Sequence, residues 1–588
     1  MIVPMKKVTI ITQEKDADSA VKTLGQAGVL HVEHQRLPEG KDINDIQNDL
    51  EVIRKAIAIL RKIEVKTKSY KEKEIGDFRF RARHVIDLED RIGRLTEYSS
   101  ATKKEIEKWK PWGDFDPAEI GALAEKNIYA SLYKLPARGL GGFPGDAIVR
   151  KISAERGMAN CVVISRRKIE MPFKELALPK LGISKMRARL AQDDKVIEMV
   201  KKDLKEQVSY ISALVKVEKS LTEDLDMQKA ASGMGRAGSI TYLRGYIPYD
   251  AVSALMETAK REKWGISVKD PSPEDRVPTL IRNPKWISII APVFRMIEVV
   301  PGYHEFDTSL WFLVFLSVFF GMLIGDAGYG GIFFALTAFF HAKLGKKMPD
   351  KSPFILFYTL SLFAIIWGAL TGTFFGQAWL AGIVKPLMPA LRDNKNIQAL
   401  CFLIGALHLS IGHVWKAVVK LPSPKALADL GWAAILWGAF FLAKTLILGE
   451  NFPTFGKWFF ICGPILVVVF TDLKRNVFKS IGFGLGNLLL NVVNSFTDVV
   501  SYIRLFAVGL ATVAIADAFN KMAMSVGYSS VLSGFLTSII LIIGHALNIL
   551  LGPLAVLVHG VRLNVLEFAN HVDIKWSGFL YKPLKEEK

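Results

Sequence analysis

Asp498-Val499-Val500-Ser501-Tyr502-Ile503-Arg504-Leu505-Phe506-Ala507-Val508-Gly509 sets one arginine inside a stretch that is otherwise almost wholly apolar. The apolar run continues through Leu510, Val513 and Ile515 before the next charge, Asp517. A charge at the centre of a lipid span costs about 2.5–3.5 kcal/mol or more, so it faces a bundle interior or a water path. Arginine does not lose its proton there. Arg504 is therefore read as a fixed positive charge on an ion path. Asp498 lies six residues earlier, about a turn and two-thirds along a helix. It lines that path, or it pairs with Arg504 and only locks helices together.

Working outward, the chain of 588 residues splits by composition. Residues 1–300 are charged and read as a soluble module; residues 301–588 are dominated by long apolar runs. A span needs about 20 mostly apolar residues. Candidates lie near 308–325, 327–342, 354–376, 397–417, 428–447, 456–471, 482–520 and 531–560, about eight in all. The last two exceed one crossing, so they tilt or project. Loop charges orient the set through the positive-inside rule. Lys343, Lys346, Lys347 and Lys351, then Lys420 and Lys425, then Lys474, Arg475 and Lys479 fall in loops on one side. The opposite loops carry Lys385, Arg392 and Lys395, then Lys457 and Lys521. The bias puts the N-terminus on the cytoplasmic side, and an even span count returns the C-terminus there. No apolar stretch of signal-peptide length opens the chain.

In the soluble half, residues 6–12 read as a strand, 15–27 as a helix and 29–32 as a second strand. A similar unit recurs at about 240–270. Together, about 1–38 and 238–275 are expected to form one α/β lobe. Ile43, Ile46, Leu50, Ile53, Ile57 and Leu60 alternate spacings of three and four, which is a coiled-coil seam. Val85, Leu88, Ile92 and Leu95 resume it; Ile197, Val200, Leu204, Ile211, Leu214, Leu221 and Leu225 supply an antiparallel partner. Residues of about 42–120 and 180–230 are thus an antiparallel coiled coil, with a second α/β lobe at about 125–175. The expected fold class is multi-domain and α-rich. A polytopic helical membrane domain carries an elongated cytoplasmic arm, which suits mechanical linkage better than catalysis.

Other polar residues fall in the apolar half. The eighth candidate span carries His545, Asn548, His559, Arg562, Asn564 and Glu567. His559 and Arg562 are three apart and share a helix face. Arg562 lines the path or snorkels to the interface, and Glu567 reads as interfacial. Asp326, in Gly325-Asp326-Ala327-Gly328, reads as a turn residue. His408 and His413 are five apart, which is not a metal-ligand spacing on a helix. Cys161, Cys401 and Cys462 make no CxxC and no disulfide framework. No GxxxxGK[ST] phosphate loop, Rossmann fingerprint or GxSxG elbow occurs, so neither nucleotide hydrolysis nor covalent catalysis is expected from this chain alone. The net charge of +19 flanks the apolar runs in large part, and without nucleic-acid motifs it argues for lipid rather than nucleic acid.

These residues resemble subunit a, called subunit I in prokaryotes, of the rotary V-type/A-type ATPases and ATP synthases. The resemblance runs in order along essentially the whole chain. It rests on Arg244-Gly245-Tyr246-Ile247-Pro248, Asp307-Thr308 with Phe320–Gly330, Phe374-Phe375-Gly376, Tyr502-Ile503-Arg504-Leu505-Phe506-Ala507, and His559-Gly560-Val561-Arg562-Leu563 with Glu567. It implies a stator subunit of the prokaryotic type, in the cell membrane, with both termini cytoplasmic. Such a subunit forms two offset half-channels against a proteolipid (c/K) ring and translocates protons or sodium ions, without a cofactor or nucleotide site of its own. The arm would bind peripheral-stalk E/G-type (E/H) subunits, and a d/C-type subunit would cap the central stalk nearby. Arg504 corresponds to the family's essential span-seven arginine and Arg562 to its span-eight arginine; Asp498, Tyr502, His545, Asn548, His559 and Glu567 are half-channel or pairing candidates. Two relay groups of eukaryotic members are missing, since Gly552 and Thr512 occupy those positions. The alternative reading is a secondary transporter with a cytoplasmic regulatory domain, which predicts inverted repeats; the apolar half shows no clear correspondence between its halves.

Overall fold

The computed structural model describes residues 1–63, 73–136, 147–155, 158–168, 174–377, 385–471 and 477–585, with the backbone alone over 477–487. Lys474 and Arg475, expected in a basic loop, lie outside the described residues, as do the last residues of the C-terminal tail.

The N-terminal half opens with β1 (Met5–Gln13), α1 (Ala17–Ala27) and β2 (His31–Glu33). The long helices α2 (Lys41–Arg61) and α3 (Phe78–Trp109) follow, then α4 (Pro117–Glu125) and the strands β3 (Tyr129–Pro136), β4 (Ile148–Glu155) and β5 (Met158–Ser165). Helices α5 (Ile183–Gln207) and α6 (Ile211–Ser232) lead to β6 (Gly235–Ala237), β7 (Ile240–Pro248), α7 (Val252–Arg261) and β8 (Gly265–Lys269). One sheet runs β2-β7-β1-β8, with β6 added to β7; the other runs β3-β5-β4, antiparallel, with Tyr129 opposite Ser165 and Ile148 opposite Ile164. The heptad-like seam is buried as its spacing predicts. Ile53, Ile57 and Leu60 of α2 pack with Val85 and Leu88 of α3, Val200 and Leu204 of α5, and Leu214 of α6.

The chain divides into two compact units, one of Ile10–Gly28 with Val32–Arg244, the other of Met1–Thr9, Val29–His31 and Gly245–Pro583. Residues 245–300 therefore belong to the unit that holds the apolar helices.

That unit continues with the short helices α8 (Lys285–Ser288) and α9 (Ala291–Ile297). The apolar helices are α10 (Ser309–Ile324), α11 (Ala327–Leu344), α12 (Ser352–Thr371), α13 (Asn394–Lys420), α14 (Ala426–Leu448), α15 (Gly456–Thr471), α16 (Val477–Ser501), α17 (Ile503–Val526) and α18 (Val531–Ala555). Two π-helical turns, Val556–Gly560 and Leu563–Phe568, and α19 (Ala569–His571) complete the last element. Five helical stretches among the described residues are long and apolar enough to cross a membrane: Ser352–Thr371, Asn394–Lys420, Ala426–Leu448, Leu488–Val526 and Val531–His571. The expected eight is not reached. Ser309–Ile324 and Gly456–Thr471 are apolar but short. Gly325 takes a left-handed φ of 69° that stops α10, and the Asp326 side chain accepts from the Gly328 and Tyr329 N–H groups to start α11. Asp326 is fully buried and also accepts from Gly376 N at 2.9 Å, so it is a turn residue that ties two connections together. The last helix outruns its apolar stretch, ending at His571 rather than near 560, because its polar residues find partners inside the protein.

Candidate ion-path site

Arg504 sits in the first turn of α17, just past the break at Tyr502. Tyr502 is fully buried, and its hydroxyl meets His408 Nδ1 at 2.8 Å. Gly405 makes room for this ring, since a Cβ there would lie 2.8 Å from it. His408 is clasped between the rings of Phe315 and Phe568, stacked at centroid distances of 3.7 and 4.3 Å. The ring of Tyr502 thus anchors the start of α17 rather than lining an open path.

The partner of Arg504 is Glu567. Arg504 Nη1 lies 3.2 Å from Glu567 Oε1, and Arg562 Nε lies 3.6 Å from the same oxygen. The Glu567 side chain is only 6% exposed, that of Arg504 27% and that of Arg562 53%. Two cations therefore share one buried carboxylate, with net charge +1. This corrects two expectations. Arg504 is not paired with Asp498: six residues do not return to the same helix face, and the helix breaks between them. Glu567 is not at an interface. Arg562 and Glu567 are five apart, out of register on an α-helix, but they stack across a π turn, whose bonding runs i to i+5. Arg504 Nη1 and Glu567 Oε2 are buried with no hydrogen-bond partner among the described residues. His559 is half-buried beside this group, with no hydrogen bond or ion pair among the described residues.

Asp498 belongs to a second group. Its Oδ2 lies 3.0 Å from His571 Nε2, and His571 Nδ1 lies 2.8 Å from His413 Nε2. Asp498, His571 and His413 line a cavity of about 630 Å³, together with Lys416, Asp429 and Asn494. Lys416 bridges Asp573 and, at 3.7 Å, Asp429; Lys420 meets Asp429 at 2.7 Å.

A third group gathers on the other side of Arg504. Tyr329 Oη lies 2.7 Å from His545 Nδ1, and Asn548 Nδ2 donates to Tyr329 Oη and to Thr512 O, both at 3.1 Å. Thr512 is eight residues beyond Arg504, about 12 Å along α17, whereas Asp498 is about 9 Å before it. A separate cavity of about 620 Å³, lined by Gln377, Asp517, Asn520 and Thr537, lies farther along the same helix pair. His413, His571 and Tyr329 were not legible as site residues. Their partners are 158 and 216 residues away, and no local spacing announces such pairs.

Comparison with known proteins adds the family. The chain is 31% identical over 625 residues to "V-type ATP synthase subunit I 1" of Treponema pallidum (strain Nichols), covering 100% of both chains. It is 30% identical over 616 residues, again 100% of both, to "V-type ATP synthase subunit I" of Borreliella burgdorferi. The chain belongs to the V-type/A-type ATP synthase subunit I family. An archaeal "A-type ATP synthase subunit I", from Methanocaldococcus jannaschii, is 26% identical over 463 residues, 70% of this chain and 64% of that one. No family model matches. As a subunit I protein the chain is a membrane subunit of a rotary V/A-type ATPase and works among the other subunits of that complex. The apolar helices and the family agree on the membrane.

Proposed function

We propose that this subunit I is the membrane stator of its rotary complex, with two half-channels that meet at Arg504 and an arm, formed within residues 10–244, that anchors peripheral stalks. The observation that supports the reading is a pair of arginines on one buried carboxylate, with a polar group to either side along the chain. Asp498, near the end of α16, and its cavity come before Arg504; Thr512 of α17, with Asn548, His545 and Tyr329 grouped at it, comes after. Ions reach the ring from the two faces through these groups, not in a straight line past the arginine.

A proteolipid carboxylate in lipid is neutral or ion-bound, since desolvation disfavours its charge. Opposite Arg504 its ionised form is favoured, and the ion leaves to one half-channel. Turning away from Arg504, the carboxylate must reload from the other. Arg504 also repels cations and so blocks a leak between the two paths. Glu567 holds both guanidinium groups in position and offsets part of their charge, while Arg562 reinforces the field. The basic loops 343–351 and 420–425 support a cytoplasmic side for Asp498 through the positive-inside rule.

The test uses the intact complex in proteoliposomes. Arg504→Ala is expected to assemble with the proteolipid ring and stalk subunits but to lose ATP-driven ion transport; Arg562→Ala is expected to retain part of it. Normal transport by an assembled Arg504→Ala complex rejects the reading.

A further inference from the structure

We infer that His413 and His571 are positioning residues that keep Asp498 the proton acceptor at the mouth of its half-channel, an inference that rests on the half-channel reading above. The hydrogen bonds allow one consistent neutral arrangement. An ionised Asp498 can only accept, so His571 Nε2 carries the proton that it donates, 3.0 Å away. Neutral His571 then has an acceptor at Nδ1, and His413 Nε2 donates to it across 2.8 Å. His413 Nδ1 is left as a buried acceptor with no partner among the described residues.

This wiring resists one event. If His571 took up a second proton, both of its nitrogens would be donors, and Nδ1–H would point at Nε2–H of His413. His413 would have to move its own proton to Nδ1, where it is buried without a partner. Both rings are at least nine-tenths buried, so neither turns freely into water.

The charges facing the pair act in the same sense or cancel. From α13, Lys416 sits beside the His571 carbonyl at 3.5 Å, and Lys420 is a turn farther on. Asp429 of α14 is shared by these two lysines, and Asp573 beyond α19 pairs with Lys416. Lys425 also lines the cavity. Apart from Asp498, each described carboxylate here is bound to a lysine and is not free to stabilise an imidazolium. The hydrogen-bond wiring thus opposes a second proton on His571 and leaves Asp498 as the group open to protons entering the cavity. Without His413, His571 becomes the imidazolium partner of Asp498. The resulting ion pair holds that carboxylate in its charged form and withdraws it from proton exchange.

The experiment measures ATP-driven ion transport against cytoplasmic-side pH, in reconstituted complexes matched for assembly and ATP hydrolysis. His413→Leu is expected to move the acid limb of the profile upward by about one pH unit, the scale of a new ion pair. His413→Gln, whose amide still donates, is expected to restore the wild-type profile. His571→Gln, which retains a donor toward Asp498 but cannot become a cation, is expected to transport with a profile indifferent to the residue at 413. An unchanged acid limb in His413→Leu, with Asp498→Asn impaired, overturns the inference and leaves the half-channel reading standing. Full transport by Asp498→Asn across the pH range overturns both.

Discussion

Glu567 is a carboxylate held in the protein interior by two guanidinium groups, and neither arginine is compensated without it. Breaking such a cluster from one side is costly because it leaves charge unpaired. Glu567→Gln is expected to destabilise the subunit by about 3 kcal/mol in detergent unfolding. It should also slow transport by roughly tenfold, the rate equivalent of about 1.4 kcal/mol, as Arg504 loses its fixed orientation. A Gln variant with wild-type stability and transport would show that the carboxylate is idle. The cost of a charge in lipid made Arg504 legible from its own neighbours. The identity of its partner was not legible, because the 62 residues between positions 504 and 567 carry no periodic link from one to the other.

Among the elements, the decisive device is close helix approach at small residues. A Cβ on Gly509 would overlap the carbonyl oxygen of Met322, so α17 and α10 touch through bare backbone. Small residues at such crossings allow helices to pack where lipid offers no hydrophobic driving force. Gly509→Ala is expected to separate the two helices and cost about 1–3 kcal/mol, the scale of overpacking. Because Arg504 is just over a turn before Gly509 on α17, transport should fall with it, while Gly331→Ala, in open space, serves as the control. Equal melting temperatures for the two variants would contradict this packing. The α-helical periods were readable in sequence, and so was the stop at Gly325-Asp326. The π turns at 556–568 were not, because their cause is the set of tertiary partners of Arg562 and Glu567 rather than any local propensity.

For the whole molecule, two solvents act on one chain. The seam residues Ile53, Val85, Leu204 and Leu214 are buried within their own unit, whereas α13, α15 and α18 expose Val418, Ile465 and Ile542. Outward apolar faces of that kind belong against lipid. The proposed orientation can be read with single cysteines in a chain stripped of its three native ones. Lys347→Cys is expected to react with a membrane-impermeant maleimide from the cytoplasmic face only, and Asn451→Cys from the opposite face only. Labelling of both from one side would refute the topology. The sequence by itself determined the two-part composition, the strands and helical seam of the N-terminal half, the family, and Arg504 as a charge set within an apolar run, because these depend on local periodicity, hydropathy and contiguous motifs. Only the tertiary structure decided that Glu567 joins the two arginines, that Asp498 answers to His571 and His413, and that Tyr329 meets His545. Hydrogen bonds and ion pairs are set by distance in space, and helices far apart along the chain converge through packing that no local pattern records.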